Sequence, residues 1–164
     1  MKSIGIVLES REALPIVQKT VDTLKELEVP FEVYARSAHL TPGETAEYAR
    51  SARGRGLAAI IAFSGMSGHL AGAMAANTSL PVIAVPCPEA GFDGMDALRS
   101  TVQMTDGIPV AAVGVGAGRN AAILAAEILA VDDLELAQRL VDYNTALAET
   151  LLAETGPLKK ELCL

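Results

Sequence analysis

The run Leu57-Ala-Ala-Ile-Ile-Ala-Phe63, followed at once by Ser64-Gly-Met-Ser-Gly-His-Leu-Ala-Gly72, decides the fold. Seven apolar residues with no polar alternation describe a strand buried on both faces, as in a parallel sheet covered by helices on either side. The small and polar residues after Phe63 let the chain turn sharply, and Gly68–Ala76 then reads as a small-residue helix. One strand, one polar loop and one helix make up the repeating unit of an α/β fold.

The same unit recurs in both directions. Lys2–Leu8 is a short Ile/Val-rich strand, and Pro15 opens a helix with Ile16, Thr20, Leu24 and Leu27 on one face. Pro30 ends that helix, and Phe31–Ala35 is a second strand. Thr41-Pro42-Gly43-Glu44 predicts a capping box, Thr41 at the N-cap and Glu44 at N3, with a helix to about Arg53 and Gly54 and Gly56 beyond it. Downstream, Pro81 precedes a strand over Val82–Val85, and Pro86-Cys87-Pro88 is a rigid turn. A helix spans Phe92–Met104, a fifth strand Val110–Val115, and a further helix Asn120–Val131. Five such strands predict a three-layer, flavodoxin-like α/β sandwich with parallel order 2-1-3-4-5 and right-handed crossovers. Ligands of such sheets sit beyond the strand C-termini, near the switch point between strands one and three.

From about Asp132 to Thr155 the pattern changes. Leu136, Leu140, Tyr143, Leu147 and Leu151 stand 4, 3, 4 and 4 apart, one apolar stripe on a long helix. The layered core is complete without it, so the stripe is expected to pack on a neighbouring subunit. The chain reads as a single domain over 1–164, an α/β core over 1–132 and an oligomerisation helix over 133–155.

With 164 residues, 51% hydrophobic and 20% charged, this is an ordinary globular composition and not a disordered one. A net charge of −7 speaks against a nucleic-acid or anionic-membrane partner. No apolar stretch approaches the ~18 residues of a membrane span. The opening run meets Glu9, Arg11 and Glu12 too soon for a signal peptide. Cys87 and Cys163 offer neither a disulfide framework nor metal-ligand spacing, and a reducing cytoplasm is the expected setting.

His39, after strand two, and His69, after strand three, are predicted at the same end of one sheet. A lone loop histidine is more often structural, but two together near a switch point are a candidate proton-transfer pair. Ser64–Gly72 is small enough to bring backbone N–H groups close to an anion, though it has no Lys and no Walker spacing, and a bare Gly/Ser loop is more often just a tight turn. Gly114-Val-Gly-Ala-Gly-Arg119 looks like a dinucleotide motif, yet it follows the fifth strand and no acidic ribose ligand follows it; helix entry explains it better. Ser10 is placed to meet phosphate or sugar, with Glu9 beside it to repel a phosphate; a solvated strand-end pair is an equal reading of the two.

These residues fall into a familiar order. Ser37-Ala38-His39 with Thr41-Pro42, then Gly65, His69, Leu70 and Gly72, then Leu80-Pro81-Val82-Ile83 with Val85-Pro86, match SAHRTP, GGAAHLPG and LPVIGVP. Gly94 and Asp96, Val102-Gln103-Met104 with Gly107-Ile108-Pro109-Val110, and Asn120-Ala121 with Leu124-Ala125-Ala126 continue the match. From about Ile4 to Asp132 the chain resembles the PurE family of purine biosynthesis, whose activities are 5-(carboxyamino)imidazole ribonucleotide mutase and aminoimidazole ribonucleotide carboxylase. The resemblance implies a homo-octamer with the C-terminal helix packed across subunits, a nucleotide-like small-molecule substrate and carbon dioxide, and no metal or organic cofactor. It implies that His39 shuttles the proton and that His69 lines the same pocket. Ser10, Arg11, Ser37, Ala38, Ser64, Gly65, Ser67, Gly68 and Leu70 become the implied substrate-binding residues.

The departures cluster where the family holds the ribose phosphate. Glu9 stands for a glycine, Ala13 for a carboxylate that holds ribose hydroxyls, Leu40 for an arginine, and Thr105 for a proline. Each lost charged hydrogen bond is worth roughly 1.5–3 kcal/mol. Either Arg11, Arg36 or Arg119 takes over the phosphate, or the chain is a paralogue carboxylating or decarboxylating a different heterocyclic metabolite, or a non-catalytic metabolite-binding protein.

Overall fold

A computed structural model describes residues 2–163. Strand β1 spans Ser3–Leu8, β2 Phe31–Ala35, β3 Leu57–Ser64, β4 Val82–Pro86 and β5 Ala111–Ala112. They form one parallel sheet in the order β2-β1-β3-β4-β5, as the sequence predicts. Helix α1 spans Leu14–Glu26, α2 Pro42–Ala52, α3 His69–Ala75, α4 Met95–Val102, α5 Gly118–Ala130, α6 Leu134–Ala153 and α7 Thr155–Glu161.

The alternation of the pleat divides the core in two. Ile4, Ile6, Leu8, Ile61, Phe63, Ile83 and Val85 face α1, α5 and α6. Val7, Ile60, Ala62, Val82 and Ala84 face Tyr48, Ala49 and Ala52 of α2 and Leu70, Ala71 and Met74 of α3. The small residues explain the close layering. Ala121, Ala122, Ala125 and Ala126 of α5 are fully buried. Gly118 meets α1 so closely that a Cβ there would strike the Ile16 carbonyl and the Thr20 hydroxyl, which donates to the Gly118 carbonyl at 2.7 Å.

Three expectations are corrected. The fifth strand pairs only at Ala111 and Ala112, not over Val110–Val115. Beyond them the chain still bonds β4 through Val113 N–H to Ala84 O and Gly116 N–H to Pro86 O. Gly116, at φ 66, then bends it into α5. Thr41 does not build a capping box. Its hydroxyl turns back to accept the Ser37 N–H at 2.9 Å, leaving the N-terminus of α2 without a side-chain cap. The predicted helix Phe92–Met104 shortens to Met95–Val102, with Gly94 at φ 88 before it.

The apolar stripe of α6, expected to pack on a neighbouring subunit, is covered over its first half by the chain itself. Leu136, Leu140 and Tyr143 are buried in the chain's own core, and Arg139 ties the helix to the end of α1 by donating to the Leu27 carbonyl at 2.9 Å. Leu147 and Leu151 continue the stripe but are exposed.

Candidate active site

The strand order brings three chain crossings together. Because β1 lies between β2 and β3, Glu9 at the end of β1 stands between the loop after β2, which carries His39, and the loop after β3, which leads into His69. The Glu9 N–H extends the ladder by donating to the Phe63 carbonyl. This is the C-terminal rim at the switch point, where α/β sheets bind ligands.

The loop after β2 is closed around Ser37, which is buried. Its hydroxyl accepts the N–H groups of His39 at 3.2 Å and Leu40 at 3.1 Å, and donates to Glu9 Oε1 at 2.7 Å. Its carbonyl accepts the Thr45 hydroxyl at 2.9 Å and the Thr41 N–H at 3.1 Å. The Ala38 N–H also donates to Glu9 Oε1, at 3.1 Å. Every polar group of Ser37 is thus engaged, and the turn that presents His39 has little freedom.

The loop after β3 is shaped by glycines. Gly68 adopts φ 61, a conformation that disfavours a side chain, and its N–H closes a turn onto Gly65. Gly65 leaves room for the Glu89 side chain, which would collide with a Cβ there. His69 then opens α3.

The two imidazoles meet. His39 Nε2 lies 2.8 Å from His69 Nδ1, with ring centroids 4.9 Å apart and planes at 54°. Such a contact needs one N–H and one bare nitrogen, so at least one ring is neutral while it persists. The other nitrogen of His39, Nδ1, stands 3.9 Å from Glu9 Oε1. The pair is open to solvent in the single chain, the His39 side chain being 60% exposed. Leu40 is 87% exposed beside it, with Met66 and Phe92 about half-exposed on the neighbouring loops.

The remaining predicted site residues divide. Ser37, Ala38 and Gly65 sit in the two loops at the pair, with Ser64 buried at the end of β3 and Ser67 exposed between Gly65 and Gly68. Ser10 spends its hydroxyl as a cap, accepting the Glu12 N–H at 3.2 Å on the short turn Arg11–Ala13. Arg11 is exposed on that turn. Leu70 separates from the set. Its side chain is fully buried between α2, α3 and the sheet, so it anchors α3 and cannot reach a ligand at the rim. Of the arginines offered for a phosphate, Arg36 is turned to the sheet edge. It donates to the Ala35 carbonyl and stacks over Tyr34 at 5.1 Å. Arg119 is exposed in the first turn of α5. Glu9 is the residue whose part went unread. Its substitution for glycine is visible in the sequence, but its bonds to Ser37 and Ala38 require the fold.

Cys87, after β4, is buried, and burial with the nearby Glu89 charge pushes its thiol up to about 12. It is an unreactive packing residue. Among the described residues no group of three or more His, Cys, Asp or Glu side chains is placed to hold a metal ion. A cleft of about 560 Å³ opens at the opposite end of the sheet, between Lys2, Arg53, Leu57, Pro81 and Asp132. It holds no histidine and stands at the N-terminal ends of the strands, so volume and chemistry point to different ends; the chemistry decides.

Residues 3–150 match the family model described as AIR carboxylase. The N5-carboxyaminoimidazole ribonucleotide mutase of Mycobacterium leprae is 43% identical over 157 residues, covering 96% of this chain and 92% of that protein. The mutase of Methanocaldococcus jannaschii is also 43% identical over 157 residues, covering 96% and 98%. The crystal structure of Treponema denticola PurE superposes with a TM-score of 0.82 at 26% identity, covering 95% of this chain and 98% of that one.

Proposed function

The chain belongs to the AIR carboxylase family and is an enzyme of purine biosynthesis; on that premise we propose that it acts as an N5-carboxyaminoimidazole ribonucleotide mutase with His39 and His69 as its proton-handling pair. The observation that carries the assignment is the 2.8 Å contact between the rings at the switch point.

The chemistry asks for one proton lent and returned. Protonation of the exocyclic nitrogen by an imidazolium lets the N-carboxylate leave as carbon dioxide. Ring carbon four then attacks carbon dioxide, and the pair takes back the proton that carbon four sheds. No net proton is consumed, so one shared ring proton suffices. Carbon dioxide must not escape between the steps, since its recapture from solution would forfeit the gain from proximity.

The open rim of the single chain supports an assembly in which neighbouring copies close the site. Leu40, Met66 and Phe92 at the rim, and Leu147 and Leu151 on α6, are the apolar side chains such copies would cover. We infer a homo-oligomer, an octamer by likeness to the family, working in the cytoplasm. No helix among the described residues is long and apolar enough to cross a membrane. Sedimentation velocity on the full chain should give a single species well above the 17.0 kDa monomer; a monomer at working concentration contradicts it.

One observation favours a second reading. Glu9 already occupies the Ser37 hydroxyl and the Ala38 N–H, donors implied for the substrate. A paralogue taking an unphosphorylated carboxylated heterocycle would tolerate that carboxylate. The test is to follow conversion of N5-carboxyaminoimidazole ribonucleotide to the carbon-carboxylated product, wild type beside His39→Asn, with the nucleoside analogue in parallel. Turnover of the ribonucleotide that falls on the order of 10²–10⁴-fold in the variant supports the first reading. Turnover of the nucleoside alone supports the second.

A further inference from the structure

We propose that Glu9 is a positioning residue that fixes the proton order of the histidine pair; the inference rests on the assignment of that pair as the proton-handling unit. The geometry is a line of three side chains from three neighbouring chain crossings. Glu9 Oε1 faces His39 Nδ1 at 3.9 Å, and His39 Nε2 meets His69 Nδ1 at 2.8 Å.

The carboxylate is held, not free to wander. Ser37 Oγ and the Ala38 N–H both donate to the same oxygen, and the side chain is only 20% exposed. At 3.9 Å it is too far for a hydrogen bond to His39 but close enough to act through its charge. A fixed negative charge beside Nδ1 favours the ring form that carries a proton there. Nε2 of His39 is then bare and accepts from His69 Nδ1–H, which leaves His69 Nε2 bare in turn.

The order has a consequence for where an added proton rests. A proton taken up at His69 Nε2 passes its partner across the 2.8 Å contact: His69 Nδ1 releases a proton to His39 Nε2. The relay ends with a neutral His69 and a His39 imidazolium next to Glu9. The charge that the lent proton brings is thereby held on the ring beside the carboxylate. Other charged groups at this rim do not compete for the role. Arg36 is turned to Tyr34 and Ala35, Glu12 accepts the Ala90 N–H, and Glu89 lies against Gly65.

Glu9→Gln is the informative change, because an amide oxygen can keep the bonds to Ser37 and Ala38 while the charge is lost. Nitrogen-15 NMR of the imidazoles in the full-length wild type should show His39 protonated at Nδ1 and bare at Nε2. Glu9→Gln should move the neutral ring towards the Nε2–H form and lower kcat on the order of 10–100-fold, with KM changed less than about 2-fold. A wild type whose His39 carries its proton on Nε2 overturns the proposal. So does a folded Glu9→Gln protein with wild-type tautomer and kcat, since a carboxylate that only braces the turn predicts that result. The NMR reading needs no turnover, so it stands apart from any failure of the substrate assignment.

Discussion

Ser37→Ala removes one oxygen and three hydrogen bonds at the point where β2 gives way to the His39 turn. The bond to Glu9 is charge-assisted, at 2.7 Å and partly buried, and bonds of that kind contribute about 1.5–3 kcal/mol. The N–H groups of His39 and Leu40 lose their acceptor as well. Both residues are exposed, so water replaces much of that loss and the two together add about 0.5–1 kcal/mol. Glu9 keeps the Ala38 N–H, which pulls the sum towards its lower end. The expected cost is about 2–3 kcal/mol, a substantial part of the ~5–15 kcal/mol that holds an ordinary domain together. In urea the midpoint should fall by about 1 M at a typical slope of ~2 kcal/mol/M. The exposed Ser67→Ala serves as the control and should stay within about 0.5 kcal/mol of wild type. Turnover should fall on the order of 10-fold, because the turn that aims His39 is loosened. A Ser37→Ala protein as stable as the control would refute the reasoning that this hydroxyl organises the site.

Three further outcomes follow from the packing. Gly118→Ala places a methyl group against backbone of α1 that cannot retreat, and should cost about 1–3 kcal/mol in urea unfolding; Gly43→Ala, with open space around it, should cost less than about 1 kcal/mol. Cys87, its thiol pushed up to about 12 by burial, should resist thiol reagents at pH 8 in the native chain while the exposed Cys163 reacts; mass spectrometry after labelling should show one adduct, and two after unfolding. The same burial sets an alkaline limit. Above the ordinary thiol value of 9.0 the unfolded chain loses a proton that the native state keeps, so stability falls by up to about 1.4 kcal/mol per pH unit until about pH 12. Cys87→Ala should flatten that part of the pH–stability curve.

The sheet was legible because its signal is redundant. Continuous apolar runs such as Leu57–Phe63 have one reading once polar loops and helical runs flank them, and topology rules then leave few orders. The meeting of His39 and His69 followed from that order, since both lie after strands adjacent to β1. What stayed hidden was side-chain exchange across loops. Thr41 has the residue type of an N-cap, but Ser37 competes for its hydroxyl and wins, which no local pattern reveals. Leu70 stands next to His69 in sequence yet points into the core, because adjacent residues at the start of a helix diverge by about 100°. The α6 stripe is uniform in sequence, but its neighbours are not: α5 and the end of α1 cover Leu136 to Tyr143 and end before Leu147.

The central claim is that the two imidazoles act as one unit, and a double-mutant cycle with His39→Asn and His69→Asn reads it most directly. Each single change should lower kcat for N5-carboxyaminoimidazole ribonucleotide by at least about 10²-fold, and the double variant should fall no further than the worse single one. Losses that multiply, or a single variant that turns over like wild type, would show that the rings work separately and would contradict the account.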